Sequence, residues 1–174
     1  MGRPKHLIPV GGIPMIVRVV EALRASRARS IAAVLRPEDE LGKALLAELD
    51  VQVVEPEDAD EGRAASVRAG LGALSDEAEG LLFALADQPF LLSEDFDALI
   101  ERFTRRDVRI VYATYAGERG TPVLFGAAYR DELEKLRGAE GGRVVVRRHP
   151  DDGAGVPLPS ARGRDIDRPE DLPE

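Results

Sequence analysis

The sequence predicts an α/β fold, a three-layer α/β/α domain on a mostly parallel sheet, with residues 1–174 forming one unit. Two observations carry that expectation. Short apolar stretches of strand length alternate with amphipathic stretches of helical period as far as residue 103. The segment GLLFALADQPF, residues 80–90, then holds six apolar residues without a break, 81–86, bounded by Gly80 and Pro89. Such a run fits a strand buried on both faces, and the two breakers leave too little room for a buried helix. Asp87 follows at once. Ligands of open α/β sheets bind beyond the carboxyl ends of the strands, which points Asp87 into a cleft. The plainer reading is a turn aspartate that accepts backbone hydrogen bonds.

Each element follows from local pattern. Residues 1–12 carry two prolines and a glycine pair, so they read as a loop with at most a short extended piece. Pro14 can open a helix, and Ile16, Val19, Val20 and Leu23 keep the core-facing repeat of one that ends near Arg29. Residues 31–35 form a short strand. Leu41, Leu45, Leu46 and Leu49 mark a second helix, 51–54 a second strand, and 55–61 an acidic loop. A third helix spans 63–74, with Val67, Leu71 and Leu74 on one side. After the central strand, Ser93 is positioned to cap a helix lined by Phe96, Leu99, Ile100 and Phe103. The rhythm then changes: strands at 108–115 and 121–125, a helix over 127–136, and another from Gly141. The tail, 151–174, is rich in Pro, Gly and charge, with a short apolar piece at 155–158.

Composition narrows the function. A net charge of −8 argues against a general nucleic-acid binder, which needs a basic face, without excluding a local phosphate pocket. No apolar run approaches the roughly 20 residues that span a bilayer. Prolines and glycines interrupt the segment after the basic start, so no signal peptide is read, and the cytoplasm is the expected location. The absence of cysteine removes disulfides and thiolate metal sites. Neither His6 nor His149 is assigned a catalytic role. His149, before Pro150, is expected to end a helix, where a cation suits the C-terminal dipole.

Five pieces fall at loops or strand ends: Arg3-Pro4-Lys5, Gly62–Ser66 opening a helix, Asp87-Gln88-Pro89, Gly120-Thr121-Pro122, and Asp165-Ile166-Asp167. Singly each is weak, since surface lysines and helix-opening glycines are common. Their order is informative. RPKHLIPVGGIPMI (3–16), GRAASVRAGL (62–71), LADQPF (85–90), GTPVLF (120–125), GAEGGR (138–143) and DIDRPED (165–171) together resemble the MobA-like nucleotidyltransferases that attach a nucleotide to molybdopterin. The likeness is greatest to the molybdenum cofactor cytidylyltransferases.

The resemblance implies a Rossmann-like nucleotidyltransferase fold. It also implies a reaction in which a pterin phosphate attacks the α-phosphorus of a nucleoside triphosphate, CTP rather than GTP, and pyrophosphate leaves. Such a transfer rests on positioning and on neutralising charge. By match to the family, Asp87 and Asp167 would hold a magnesium ion, and Lys5, with Asp87 the catalytic pair, would face the phosphates. Arg3, Gly62 and Ser66 would contact the nucleotide, and Gly120 and Pro122 would shape the pterin side. A molybdoenzyme or its maturation factor is the implied protein partner.

The chain also departs from that pattern. Family members open with a buried strand and a loop of the form Leu-Ala-Ala-Gly-x-Ser-x-Arg-Met-Gly that wraps the triphosphate. Met1-Gly2 aligns with the last two residues of that loop. The expectations are that the natural chain begins upstream, and that the first strand, central between 31–35 and 81–86, is missing here. The 174-residue form is then expected to be impaired in turnover. Thr121 stands where the family often has His, Ala64-Ala65 where it often has a hydroxyl or Met, Gly142 where Ala is usual, and Ala139 replaces an acidic residue. Two other functions compete: a transferase acting on a sugar phosphate or another small phosphate ester, and a non-catalytic cofactor-binding partner of a molybdoenzyme.

Overall fold

The structure, a computed structural model, describes residues 4–49 and 51–166. It begins with a single 3-10 turn, Lys5–Leu7, and a small hairpin of β1 (Pro9–Val10) and β2 (Ile13–Pro14). The hairpin replaces most of the expected loop. Gly11 and Gly12 make it, with φ of 60° and 84°, the positive values that a two-residue turn matched to strand twist demands. Helix α1 (Met15–Arg24) follows and stops short of the expected end near Arg29. The Ser26 hydroxyl donates to the Leu23 carbonyl at 2.6 Å and accepts the Ala28 N–H, a local alternative to continuing the helix.

Strand β3 (Ala32–Val34), helix α2 (Glu40–Ala47) and strand β4 (Gln52–Val54) form a parallel two-stranded unit. Helix α3 (Arg63–Gly72) leads to β5 (Gly80–Phe83), α4 (Ser93–Thr104), β6 (Ile110–Tyr115) and β7 (Glu118–Gly126). A 3-10 turn at Ala127–Tyr129 and the short α5 (Arg130–Glu134) replace the single helix expected over 127–136. Helix α6 (Gly142–Arg148) ends at His149, as expected, and β8 (Gly153–Pro157) grows from the apolar piece of the tail. The second sheet has the order β5-β7-β6-β8.

The mostly parallel sheet of the sequence reading is a mixed one. Ala116 and Gly117, with φ of 50° and 88°, turn β7 back antiparallel on β6, and β7 then lies antiparallel beside β5. Parallel pairing is kept between β3 and β4 and between β6 and β8. The α/β class and its three layers stand. Alternate residues of the second sheet serve opposite faces: Leu81, Ile110, Tyr112, Val123 and Phe125 pack against α3, α5 and α6. On the other face Leu82, Val111 and Leu124 meet α4, while α1 and α2 cover β3 and β4 through Ile16, Val20 and Leu46.

Two further expectations need correction. Strand β5 is not buried on both faces: Leu81 is buried, but Leu82 and Phe83 are half-buried, and Leu85, beyond its end, is 44% exposed. Its ladder, among the described residues, is with β7 alone. Among the described residues β3 and β5 share no ladder, although α3 packs on both, Gly70 against Val34 and Leu71 with Leu81. The family's first strand was expected between these two. Ser93 is not the cap of α4. The cap is Leu92, and Asp95 reaches back to accept its N–H at 2.8 Å.

Candidate functional site

Beyond the end of β5 the chain turns through Asp87-Gln88-Pro89, and three other segments are tied to that turn. Arg18, on α1, donates from Nε to the Pro89 carbonyl and from Nη1 to the Val10 carbonyl, both at 3.2 Å, which fixes the β1–β2 hairpin beside it. Arg162 donates to the Phe90 carbonyl at 3.1 Å. The tail closes over the turn at Ile166, which is fully buried with Val10 and Met15 and gives its N–H to the Asp87 carbonyl at 3.1 Å.

Lys5 reaches this point from the N-terminal turn. Its Nζ is 2.7 Å from Asp87 Oδ2, with both side chains about one-third exposed. The other carboxylate oxygen, Asp87 Oδ1, is buried and has no hydrogen-bond partner among the described residues. A buried carboxylate oxygen left this way is destabilising unless a ligand engages it. Carboxylate oxygen is also the donor that hard divalent ions take. Among the described residues no three His, Asp or Glu side chains converge. The donor set therefore fits an ion held by one or two carboxylates and completed by substrate oxygens and water, as magnesium is in nucleotide sites. Asp167 and Arg3 lie outside the described residues, although Ile166 brings the tail to within one position of Asp167.

The acceptor-side pair assigned from the resemblance, Gly120 and Pro122, lies in β7 at an irregularity. Tyr112 pairs with Val123 but Ala113 pairs with Gly120, so Thr121 and Pro122 bulge out of the ladder. The Thr121–Pro122 peptide is cis. Gly120 is required here, because a Cβ would fall 2.7 Å from the Tyr115 ring. Freed from the ladder, Thr121 Oγ1 donates to Gln88 Oε1 at 2.7 Å, and the Tyr115 hydroxyl donates to the Thr121 carbonyl at 2.6 Å. Burial, with the charges of Asp95 and Asp165, pushes the Tyr115 phenol up to about 12.

Gly62 and Ser66 lie at the start of α3. Gly62, with φ of 114°, precedes α3, and a Cβ there would fall 2.8 Å from the Gly138 carbonyl oxygen. That contact joins the GRAASVRAGL and GAEGGR motifs, as does the Ala64 N–H, which donates to Gly138 at 3.1 Å. Ser66 is exposed on the first turns of α3.

Sequence reasoning missed several members. Gln88 entered only as a member of the Asp87-Gln88-Pro89 piece, and Thr121 as a member of Gly120-Thr121-Pro122 and a departure, with no role of their own. Tyr115 and Gly163 were not singled out. His6 pairs with Asp39, Nε2 to Oδ2 at 2.5 Å, where Asp39 is buried and also accepts the Gly42 N–H. No spacing in the sequence signals that contact.

The sequence model of the MobA-like NTP transferase domain matches residues 1–153. The chain belongs to the MobA-like NTP transferase family. A curated relative, the 2-C-methyl-D-erythritol 4-phosphate cytidylyltransferase of Streptomyces coelicolor, is 37% identical over 107 residues, 58% of this chain. The match covers 39% of that relative's length. In fold, this MobA-like chain superposes on the Mycobacterium tuberculosis Rv0371c complex with manganese with a TM-score of 0.81, at 22% identity, covering 98% of this chain and 90% of that one. It also superposes on the molybdopterin-guanine dinucleotide biosynthesis protein A of Archaeoglobus fulgidus, with a TM-score of 0.68 at 17% identity, over 98% and 88% of the two chains. The resemblance read from the motifs is thus met at the level of family and fold. No helix among the described residues is long and apolar enough to cross a membrane.

Proposed function

We propose that the chain is a nucleotidyltransferase that moves a nucleoside monophosphate, CMP in preference to GMP, from the triphosphate to the phosphate of a molybdopterin-type acceptor, releasing pyrophosphate. The observation that carries this reading is Asp87: one carboxylate oxygen is clasped by Lys5 and the other is buried beyond the end of β5 without a partner among the described residues. Asp87 and Asp167 are the residues that would hold magnesium. When bound, the ion neutralises phosphate charge and favours departure of pyrophosphate.

The chain's own residues supply the rest. Lys5, held against Asp87, brings a cation to the triphosphate. Arg3, by its match to the family motif, adds positive charge for the nucleotide. Gly62 lets the backbone before α3 lie close to the nucleotide, with Ser66 as a hydrogen-bonding group on the helix it opens. Gly120 and Pro122 shape the wall against which the acceptor phosphate is presented for in-line attack. A cytoplasmic location and delivery of the product to a molybdoenzyme or its maturation factor accord with this chemistry.

A second acceptor class is favoured by one observation. The Streptomyces coelicolor relative is named for a small phosphate ester, 2-C-methyl-D-erythritol 4-phosphate. Pyrophosphate release from CTP or GTP with magnesium, measured with molybdopterin and with that ester in parallel, separates the two. Release with CTP and the pterin is expected. Absence of release with every pair, together with thermal stabilisation by the pterin but not by CTP and magnesium, would overturn the transferase reading in favour of a binding protein.

A further inference from the structure

Among the described residues three polar or charged side chains are buried: Asp39, Gln88 and Asp95. Asp39 and Asp95 each secure a helix start, through the Gly42 and Leu92 N–H groups. Gln88 caps nothing. Its amide spans two other segments, accepting from Thr121 Oγ1 at 2.7 Å and donating to the Gly163 carbonyl at 3.5 Å. An apolar side chain of the same length would fill the space without the desolvation that a buried amide must offset. The amide is therefore explained by what it joins.

What it joins surrounds Asp87. Gln88 is the next residue along. Thr121 sits in the β7 bulge between Gly120 and Pro122, the wall assigned above to the acceptor. Gly163 leads in three residues to Ile166, whose N–H holds the Asp87 carbonyl. Tyr115 covers the assembly, its hydroxyl on the Thr121 carbonyl and its ring where a Cβ on Gly163 would stand, 2.5 Å away. We propose that Gln88 is a positioning residue: its buried amide locks the acceptor-side bulge and the returning tail to the Asp87 turn, and so holds the Asp87 carboxylate in place to take a divalent ion. The inference rests on the functional reading above. It deepens that reading by naming the group that couples the acceptor wall to the metal ligand.

The test measures Mn²⁺ binding to the 174-residue chain without nucleotide, from the electron paramagnetic resonance signal of the free ion. Gln88→Met keeps the length and removes the amide; Thr121→Val removes the hydroxyl at constant shape; Thr121→Ser restores it. Wild type is expected to bind. Gln88→Met and Thr121→Val should each weaken binding about tenfold, as loss of groups that orient a metal ligand does. The double variant should be no weaker than either single one, and Thr121→Ser should bind like wild type. Circular dichroism melting checks that the variants fold, and Thr121→Val carries the test by itself if Gln88→Met does not. Wild-type affinity in the folded variants would overturn the role of Gln88 and leave the transferase reading intact. A wild-type chain that takes up no Mn²⁺ and releases no pyrophosphate would overturn both.

Discussion

Lys5 Nζ lies 2.7 Å from Asp87 Oδ2, joining residues 82 positions apart. A pair this exposed contributes little to stability, typically below about 1 kcal/mol. The same pair stands beside a buried carboxylate oxygen with no partner among the described residues, so its value is expected in chemistry.

Asp87→Asn should lower nucleotide-dependent pyrophosphate release by about a hundredfold or more. The unfolding free energy should move by less than about 1 kcal/mol. Lys5→Met should behave alike. Pyrophosphate assays and urea titrations of the same preparations check both quantities, and a collapse of the fold in either variant would contradict the assignment.

Gly62→Ala should destabilise the fold by about 1–3 kcal/mol, because φ of 114° is strained for a side-chain-bearing residue. The added methyl also meets the Gly138 carbonyl oxygen at 2.8 Å. A urea midpoint unchanged from wild type would show that this backbone relaxes freely.

Glu61 sets part of the acid limb of stability. The Arg68 guanidinium, and then the Gly138 N–H at 3.1 Å, hold its carboxyl below the ordinary 4.5. The charged form is thus favoured in the folded state. The contribution is present above about pH 4.5 and fades as pH falls through the lowered value. Glu61→Gln should flatten the stability profile in that window, read from urea midpoints against pH.

At the alkaline end the sign reverses. Burial raises the Tyr115 and Tyr129 phenols from 10 to about 12, so folding favours their neutral forms. The stabilisation is complete below pH 10 and is lost as pH rises toward 12. Ultraviolet titration of the phenols should show late ionisation, and Tyr115→Phe should remove one such step while leaving that of Tyr129.

Much of this was legible in local pattern. The helical repeat of Ile16, Val19 and Val20 and the six-residue apolar run before Asp87 located α1 and the head of the site. Two-residue strands carry no periodicity, so the β1–β2 hairpin had only Gly11-Gly12 to announce it. The bulge in β7 depends on how β6 pairs with it, a long-range property that put the Thr121–Gln88 contact out of reach. The exposure of Leu85 and the loss of the Ser93 cap have the same origin: each was decided by what the rest of the fold leaves beside the residue. The roles given to Arg3 and Asp167 lie outside the described residues.

The two ladders, β3–β4 and β5–β7–β6–β8, share no hydrogen bond among the described residues, and α3 bridges them by side-chain packing. Opening of the smaller ladder therefore need not disturb the larger. In deuterium exchange, the amides of Leu35 and Gln52, which donate to the Val54 and Ile31 carbonyls across β3 and β4, should be replaced through partial opening, while those of Val111 and Leu124 wait for global unfolding. The half of the molecule that carries β3 and β4 is the half free to breathe.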